Sequence, residues 1–149
     1  MASERLVDGV TYYIITLMPD ADNRALEVYG GGELGNVGIW KNLQLPNRQW
    51  TAHRMADGSW SFKYKRNPSA YLATNGNNKQ LRVAVVDPKN DATARWKAED
   101  LGDGYLNIQE ANMALDVQSA ATADGTPVIL YGRHGNQNQR WRISRVAGI

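Results

Sequence analysis

"YGRHGNQNQRW" occupies residues 131–141, and two earlier stretches, "WKNLQLPNRQW" at 40–50 and "VDPKNDATARW" at 86–96, read as altered copies of it. The words change from copy to copy, but the closing tryptophan does not. Trp50, Trp96 and Trp141 stand 46 and 45 residues apart. Upstream of each lies a turn dipeptide, Asp8-Gly9, Asp57-Gly58 or Asp103-Gly104, whose glycine precedes the tryptophan by 41, 38 and 37 residues. Between the two comes a third marker, "ALEV" at 25–28, "YLAT" at 71–74 and "ALDV" at 114–117. Its leucine stands 24, 24 and 26 residues before the tryptophan. Three markers in constant order define a threefold internal repeat, and a repeat of this length governs the whole organisation.

Within each copy the periodicity is that of strands. In "WSFKYK" at 60–65, Trp60, Phe62 and Tyr64 alternate with Ser61, Lys63 and Lys65, so one face is expected to be apolar and the other wet. "TYYIIT" at 11–16 and "YLNIQ" at 105–109 are equally short and rich in β-branched or aromatic residues. No window keeps apolar residues at helical spacing over three turns. The expectation is four short strands per copy, some twelve in all, with helix confined to a turn or two. A unit of four short strands cannot bury its own apolar face, so the copies, approximately 9–54, 55–101 and 102–149, must share one core in a single domain of residues 1–149. A closed, pseudo-threefold all-β barrel satisfies that need and removes exposed strand edges. Trp50, Trp96 and Trp141 are then expected to seal the core, each covering roughly 150–250 Å².

Bulk properties agree. A chain of 149 residues can bury roughly 68–70% of its unfolded surface without a disulfide or metal. Hydrophobic residues at 42% and charged residues at 21% are ordinary for a globular protein, and fourteen Gly with five Pro suit a turn-rich chain. There is no cysteine, which excludes disulfides, a thiolate nucleophile and thiolate metal sites. No metal or cofactor is expected. "MASERLVDG" has no apolar signal core, and no run approaches the roughly 18 apolar residues of a membrane span. The only Asn-x-Ser triplet, Asn67-Pro68-Ser69, is blocked by its proline. A cytoplasmic location follows as the expectation, with release by an unconventional route left open. The Gly30-Gly31-Gly32 run is not followed by a helical pattern, so it is not expected to cradle phosphate.

The threefold pattern resembles the ricin-B-type, or R-type, β-trefoil lectins and carbohydrate-binding modules, whose repeats end in Gln-x-Trp. The copy that carries this best is "ALDVQSAATADGTPVILYGRHGNQNQRW", with Leu-Asp-Val, Gly-Thr-Pro-Val and Asn-Gln-Arg-Trp in the family's order. The resemblance covers residues 9–145; "NRQW" has Arg48 and "TARW" has Ala94 where the family glutamine belongs. It implies an all-β β-trefoil of three pseudo-symmetric four-strand repeats. It also implies a shallow sugar pocket per competent repeat: an acid after the leucine, an aromatic ring, and an asparagine before Gln-x-Trp.

In the third copy these are Asp116, Tyr131 and Asn138, with His134 placed to contact an adjoining hydroxyl. Ile129 stands where the family often has a polar residue, which removes one expected hydrogen bond. In the first copy they are Glu27, Trp40 and Asn47, and the longer acid either retunes that site or disables it. In the second copy Ala73, Val86 and Thr93 offer neither acid, ring nor amide, so that repeat is expected to serve only the fold. The chemistry is coherent: an ionised carboxylate accepts two hydroxyl protons together, and a ring covers the C–H face of a pyranose. Net hydrogen-bond contributions of about 0.5–1.5 kcal/mol, roughly doubled for a charged partner, predict a weak single site of about micromolar to millimolar affinity.

The resemblance thus implies a non-enzymatic lectin for galactose- or N-acetylgalactosamine-type termini on glycoproteins or glycolipids, an agglutinin serving in defence. Two working sites, or a homodimer, would raise avidity by about 10²–10⁴ on a multivalent surface. A protein-binding trefoil with vestigial sugar sites, such as a protease inhibitor, is the alternative. An enzyme is disfavoured, since His53 and His134 are the only histidines and no paired carboxylates stand at a recognisable spacing. Residues 58–96 hold seven basic against two acidic side chains. A solvated face accounts for this, an acidic partner such as sulfated glycan, nucleic acid or membrane phosphate being the other reading. Nucleic acid is not expected as a partner, nor is membrane insertion.

Overall fold

Strand-forming segments recur in the order the repeats demand. The structure is a computed structural model in which residues 5–29, 35–41, 46–109 and 112–146 are described; the glycine run at 30–32 lies outside the described residues. The first repeat contributes β1 (Thr11–Thr16), β2 (Ala25–Tyr29), β3 (Asn36–Trp40) and β4 (Trp50–Arg54). The second contributes β5 (Trp60–Tyr64), β6 (Ala70–Ala73), β7 (Arg82–Val85) and β8 (Lys97–Asp100), and the third β9 (Tyr105–Gln109), β10 (Met113–Val117), β11 (Val128–Gly132) and β12 (Trp141–Arg145). Helix among the described residues is limited to single 3-10 turns.

Six strands, the first and last of each repeat, close a barrel. β1 pairs with β4 at Tyr12 and Trp50, and β4 with β5 from Trp50 opposite Tyr64 to Arg54 opposite Trp60. The step from β5 to β8 is made by a bridge in which Trp60 and Trp96 exchange backbone hydrogen bonds of 2.7 and 2.8 Å. β8 then pairs with β9, β9 with β12, and β12 with β1 over five registers from Tyr12 opposite Arg145 to Thr16 opposite Trp141. The hairpins β2–β3, β6–β7 and β10–β11 cap one end and touch one another at Asn36 and Arg82, Gly38 and Pro127, and Gln80 and Ile129. The protein is a β-trefoil.

The repeated markers meet inside it. Trp50, Trp96 and Trp141 are completely buried, as are Leu26, Leu72 and Leu115. Each indole Nε1 donates to the carbonyl of its leucine, Trp50 to Leu26, Trp96 to Leu72 and Trp141 to Leu115, at 3.1 Å in all three. A buried indole N–H needs such a partner, so the spacing read from sequence is the span of one recurring hydrogen bond. The wet face expected of β5 holds at exposed Lys65 but not at Ser61, which is buried opposite His53 of β4.

Candidate functional site

In the third repeat, the register of β10 with β11 places Asp116 opposite Ile129 and Ala114 opposite Tyr131. Side chains two apart on a strand share a face, so Asp116, Ile129 and Tyr131 all look into one hollow. The 3-10 turn Gln137–Gln139 adds Asn138, and the loop before it adds His134. The hollow has a volume of about 400 Å³ and is also bordered by Asn78, Gln118 and Ser119. All four third-repeat residues expected from sequence are therefore brought together.

Asp116 sits at the floor, 2% exposed. Its Oδ2 accepts from Gln139 Nε2 at 2.8 Å and lies 3.4 Å from His134 Nε2, while Oδ1 accepts from Asn138 Nδ2 at 3.2 Å. Burial pushes this carboxyl above the ordinary aspartate range, outweighing the opposing pull of Gln139, His134 and Asn138. A carboxylate offers about four acceptor positions, so one on Oδ1 stays open. The Asn138 amide spends both N–H groups on the protein, the second on the Val117 carbonyl at 3.1 Å, and its carbonyl oxygen has no partner among the described residues. His134 Nδ1 accepts the Asn136 backbone N–H at 3.0 Å, which leaves its ring proton on Nε2, facing Asp116. Tyr131 is 47% exposed and meets the His134 ring edge-on, with centroids 6.3 Å apart. The arrangement thus holds two acceptors at the floor beneath an accessible ring.

Gln139 fixes this geometry. Completely buried, it donates to Asp116 and to the Gly132 carbonyl at 2.9 Å, and its Oε1 accepts the backbone N–H groups of His134 and Gly135 at 2.9 and 3.0 Å. It ties the acid to the loop carrying the histidine.

The first repeat brings its own trio together and then fills it. Asn47 Nδ2 donates to Glu27 Oε1 at 2.6 Å and to the Val28 carbonyl at 3.3 Å, as Asn138 does to Asp116 and Val117. Arg48, standing where Gln139 stands in the third repeat, reaches Glu27 Oε1 with Nη2 at 3.0 Å and Asn47 Oδ1 with Nη1 at 3.1 Å. The guanidinium takes the same two acceptors that remain open in the third repeat. Glu27 and Arg48 are both buried, and burial raises the Glu27 carboxyl more than Arg48 lowers it. Glu27 Oε2 and Arg48 Nε are buried without a hydrogen-bond partner among the described residues. Trp40 is half-buried, packed at 5.7 Å on Tyr29 and against the Cα side of Gly125 from the third repeat. In the second repeat Ala73, Ala84 and Ala94 form a small apolar cluster with Tyr71 and Val86 packed on it. The places of the acid and the ring are thus apolar, and Thr93 stands where the amide would be.

Sequence reasoning did not reach Gln139's tie to Asp116, Arg48's double engagement, or the three residues bordering the hollow. The Gln-x-Trp motif was the available signal for Gln139. For Asn78 there was none, because it arrives from the second repeat, where its backbone N–H donates to the Leu130 carbonyl at 2.6 Å.

Comparison with known proteins adds to this geometry. The family described as ricin-type beta-trefoil lectin domain-like matches residues 46–131. The main hemagglutinin component type C of Clostridium botulinum C phage is 31% identical over 101 residues, which cover 58% of this chain and 35% of that protein. The chain therefore spans about a third of the length of the curated relatives it matches. Among solved structures, the designed threefold-symmetric protein ThreeFoil superposes with a TM-score of 0.76 at 26% identity, covering 89% of this chain and 96% of that one. The Macrolepiota procera ricin B-like lectin, solved in complex with lactose, superposes with a TM-score of 0.78 at 21% identity over 95% of this chain and 99% of its own.

Proposed function

The chain belongs to the ricin-type β-trefoil lectin family, and on that premise we propose that it is a non-enzymatic lectin whose third repeat binds a galactose- or N-acetylgalactosamine-type terminal sugar. One observation carries this reading. Asp116 Oδ1 and the Asn138 carbonyl oxygen are adjacent open acceptors, held from behind by Gln139 and Val117, beside the exposed Tyr131 ring. Two fixed acceptors select neighbouring hydroxyls, and the ring takes the apolar face of the pyranose. The lactose in the Macrolepiota procera lectin, a protein of similar fold, fits a ligand of this type.

The first repeat, with Arg48 across Glu27 and Asn47, and the second, with Ala73 and Val86 in place of acid and ring, leave one site with the full set of sugar-binding groups. Affinity for a single terminus is then about micromolar to millimolar. Glycoside cleavage ordinarily takes two carboxyl groups about 5–9.5 Å apart across the bond. Asp116 is the sole carboxylate among the residues lining the hollow, which supports binding without cleavage. A glycan array with the wild-type protein and Asp116→Ala tests the reading. Signal on galactose or N-acetylgalactosamine termini should vanish in the variant, and an unchanged signal would overturn the site.

A further inference from the structure

A second and larger hollow, of about 540 Å³, lies in the cleft between the second and third repeats, away from the Asp116 floor. Its origin is visible by comparison with the equivalent cleft between the third and first repeats. There the β1–β2 connection runs over residues 17–24 and carries the turn Pro19–Ala21, and Arg142, just after Trp141, reaches Asn23 at 3.1 Å. In the second-to-third cleft the β9–β10 connection runs only over residues 110–112. Lys97 follows Trp96 as Arg142 follows Trp141, and Asn112 matches Asn23, both left-handed at φ 56 and 57. Yet Lys97 and the Asn112 side chain engage no hydrogen-bond or ion-pair partner among the described residues. What is latched in one cleft is open in the other.

The open cleft has a definite polarity. Arg95 is anchored through Nη1 to the carbonyls of Pro88 and Lys89 at 2.7 and 3.3 Å, and its Nη2 has no partner among the described residues. Among the described residues of the lining the one acid, Asp57, is bonded to Ser59 and stays 3.9 Å from Arg95 Nε. Gln109 clamps the floor by donating to the Thr93 and Arg95 carbonyls at 2.8 and 3.0 Å, which leaves its Oε1 as an acceptor. Two cations thus stand over an amide-lined hollow, Arg95 within the segment 58–96 that holds seven basic against two acidic residues and Lys97 directly after it.

The cleft also adjoins the sugar hollow. Gly76 and Asn77 border the cleft while Asn78 borders the Asp116 hollow, and this single turn is pinned to β11 through Asn78 N to Leu130 O and Leu130 N to Lys79 O. Resting on the sugar site proposed above, we propose that the cleft receives an anionic sugar residue, sulfated or carboxylated, of the glycan whose neutral terminus sits at Asp116. Arg95 Nη2 and Lys97 bind the anion, and Asn112 and Gln109 bind hydroxyls on either side of it. The glycan chain crosses the Asn77–Asn78 turn, so selectivity comes from length as well as charge.

Titration with galactose-terminated oligosaccharides of graded length, each neutral, sulfated or carboxylated on an inner residue, tests this on the full chain. The anionic forms should bind about three- to tenfold tighter than their neutral counterparts, as two partly exposed ion pairs allow. The advantage should appear only in the longer members, and Lys97→Gln should bring the anionic-to-neutral ratio toward one. The sulfated and carboxylated arms separate the two sources of charge. A ratio of one in the wild type, a ratio indifferent to Lys97→Gln, or equal binding of free inorganic sulfate would overturn the inference. Asp116→Ala separates the two levels. If neutral oligosaccharides bind that variant normally, the sugar site itself is misassigned; if they lose binding while the wild-type ratio stays at one, only the cleft is.

Discussion

Arg48 Nη2 lies 3.0 Å from Glu27 Oε1, and both side chains are buried. In the third repeat the corresponding pair is Gln139 and Asp116, 2.8 Å apart. A neutral amide holds its acid in place and leaves neighbouring acceptors open, whereas a guanidinium consumes them. Exchange of the glutamine for arginine, with the acid lengthened by one carbon, turns a receptive pocket into an internal ion pair.

Removal of one partner should expose how that pair is held. Arg48→Met strands a buried carboxylate and is expected to destabilise the fold by about 3–5 kcal/mol. Glu27→Gln combined with Arg48→Met should recover most of the loss. Urea unfolding midpoints at constant slope read both effects, and equal losses in the single and double variants would refute the coupling.

The reverse exchange should reopen the pocket. Glu27→Asp with Arg48→Gln gives the first repeat the same acid and amide as the third. Titration with a galactose-terminated ligand is expected to rise from one to two equivalents per chain. If it stays at one, the packing of Trp40 against Gly125, rather than Arg48, is what closes the site.

Tyr131 is exposed and outside the core, so Tyr131→Ala should leave the unfolding temperature nearly unchanged while weakening sugar binding. The loss of a stacking face is expected to reduce affinity by about fivefold or more, with Tyr131→Phe retaining most of it. Parallel thermal melts and titrations separate the ring's role from any contribution to folding.

Acidification should act on binding and stability in opposite senses. Asp116 must be ionised to accept hydroxyls, and its raised pKa means that affinity falls while pH is still above the ordinary aspartate value of about 3.9. For stability, a carboxyl whose folded pKa lies above its unfolded one binds its proton more tightly in the folded state. Its contribution therefore improves as pH falls through the folded pKa and levels off below the unfolded one. Asp116→Asn should abolish this part of the pH dependence of the melting temperature. Glu27, also raised, adds a term of the same sign that persists in that variant.

The barrel and its three seals were legible because Leu26, Leu72 and Leu115 keep a fixed relation to Trp50, Trp96 and Trp141, and each relation is one hydrogen bond. The meeting of Asp116, Tyr131 and Asn138 was legible because strand alternation and a family pattern place them on one face. Gln139 and Arg48 were not, since their effect depends on which atoms lie within hydrogen-bond reach rather than on which face they occupy. Asn78 and the Arg95–Lys97 cleft belong to boundaries between repeats. A repeat read in isolation carries no sign of what its neighbour leaves uncovered.

The five-register pairing of β1 with β12 puts the seam of the barrel between its first and last strands. During synthesis, nothing assembled from the earlier residues can close that seam until Trp141–Arg145 has left the ribosome. Such long-range pairing slows folding and keeps unpaired strand edges available to other chains meanwhile. Whatever removes β12 therefore removes one whole side of the closure.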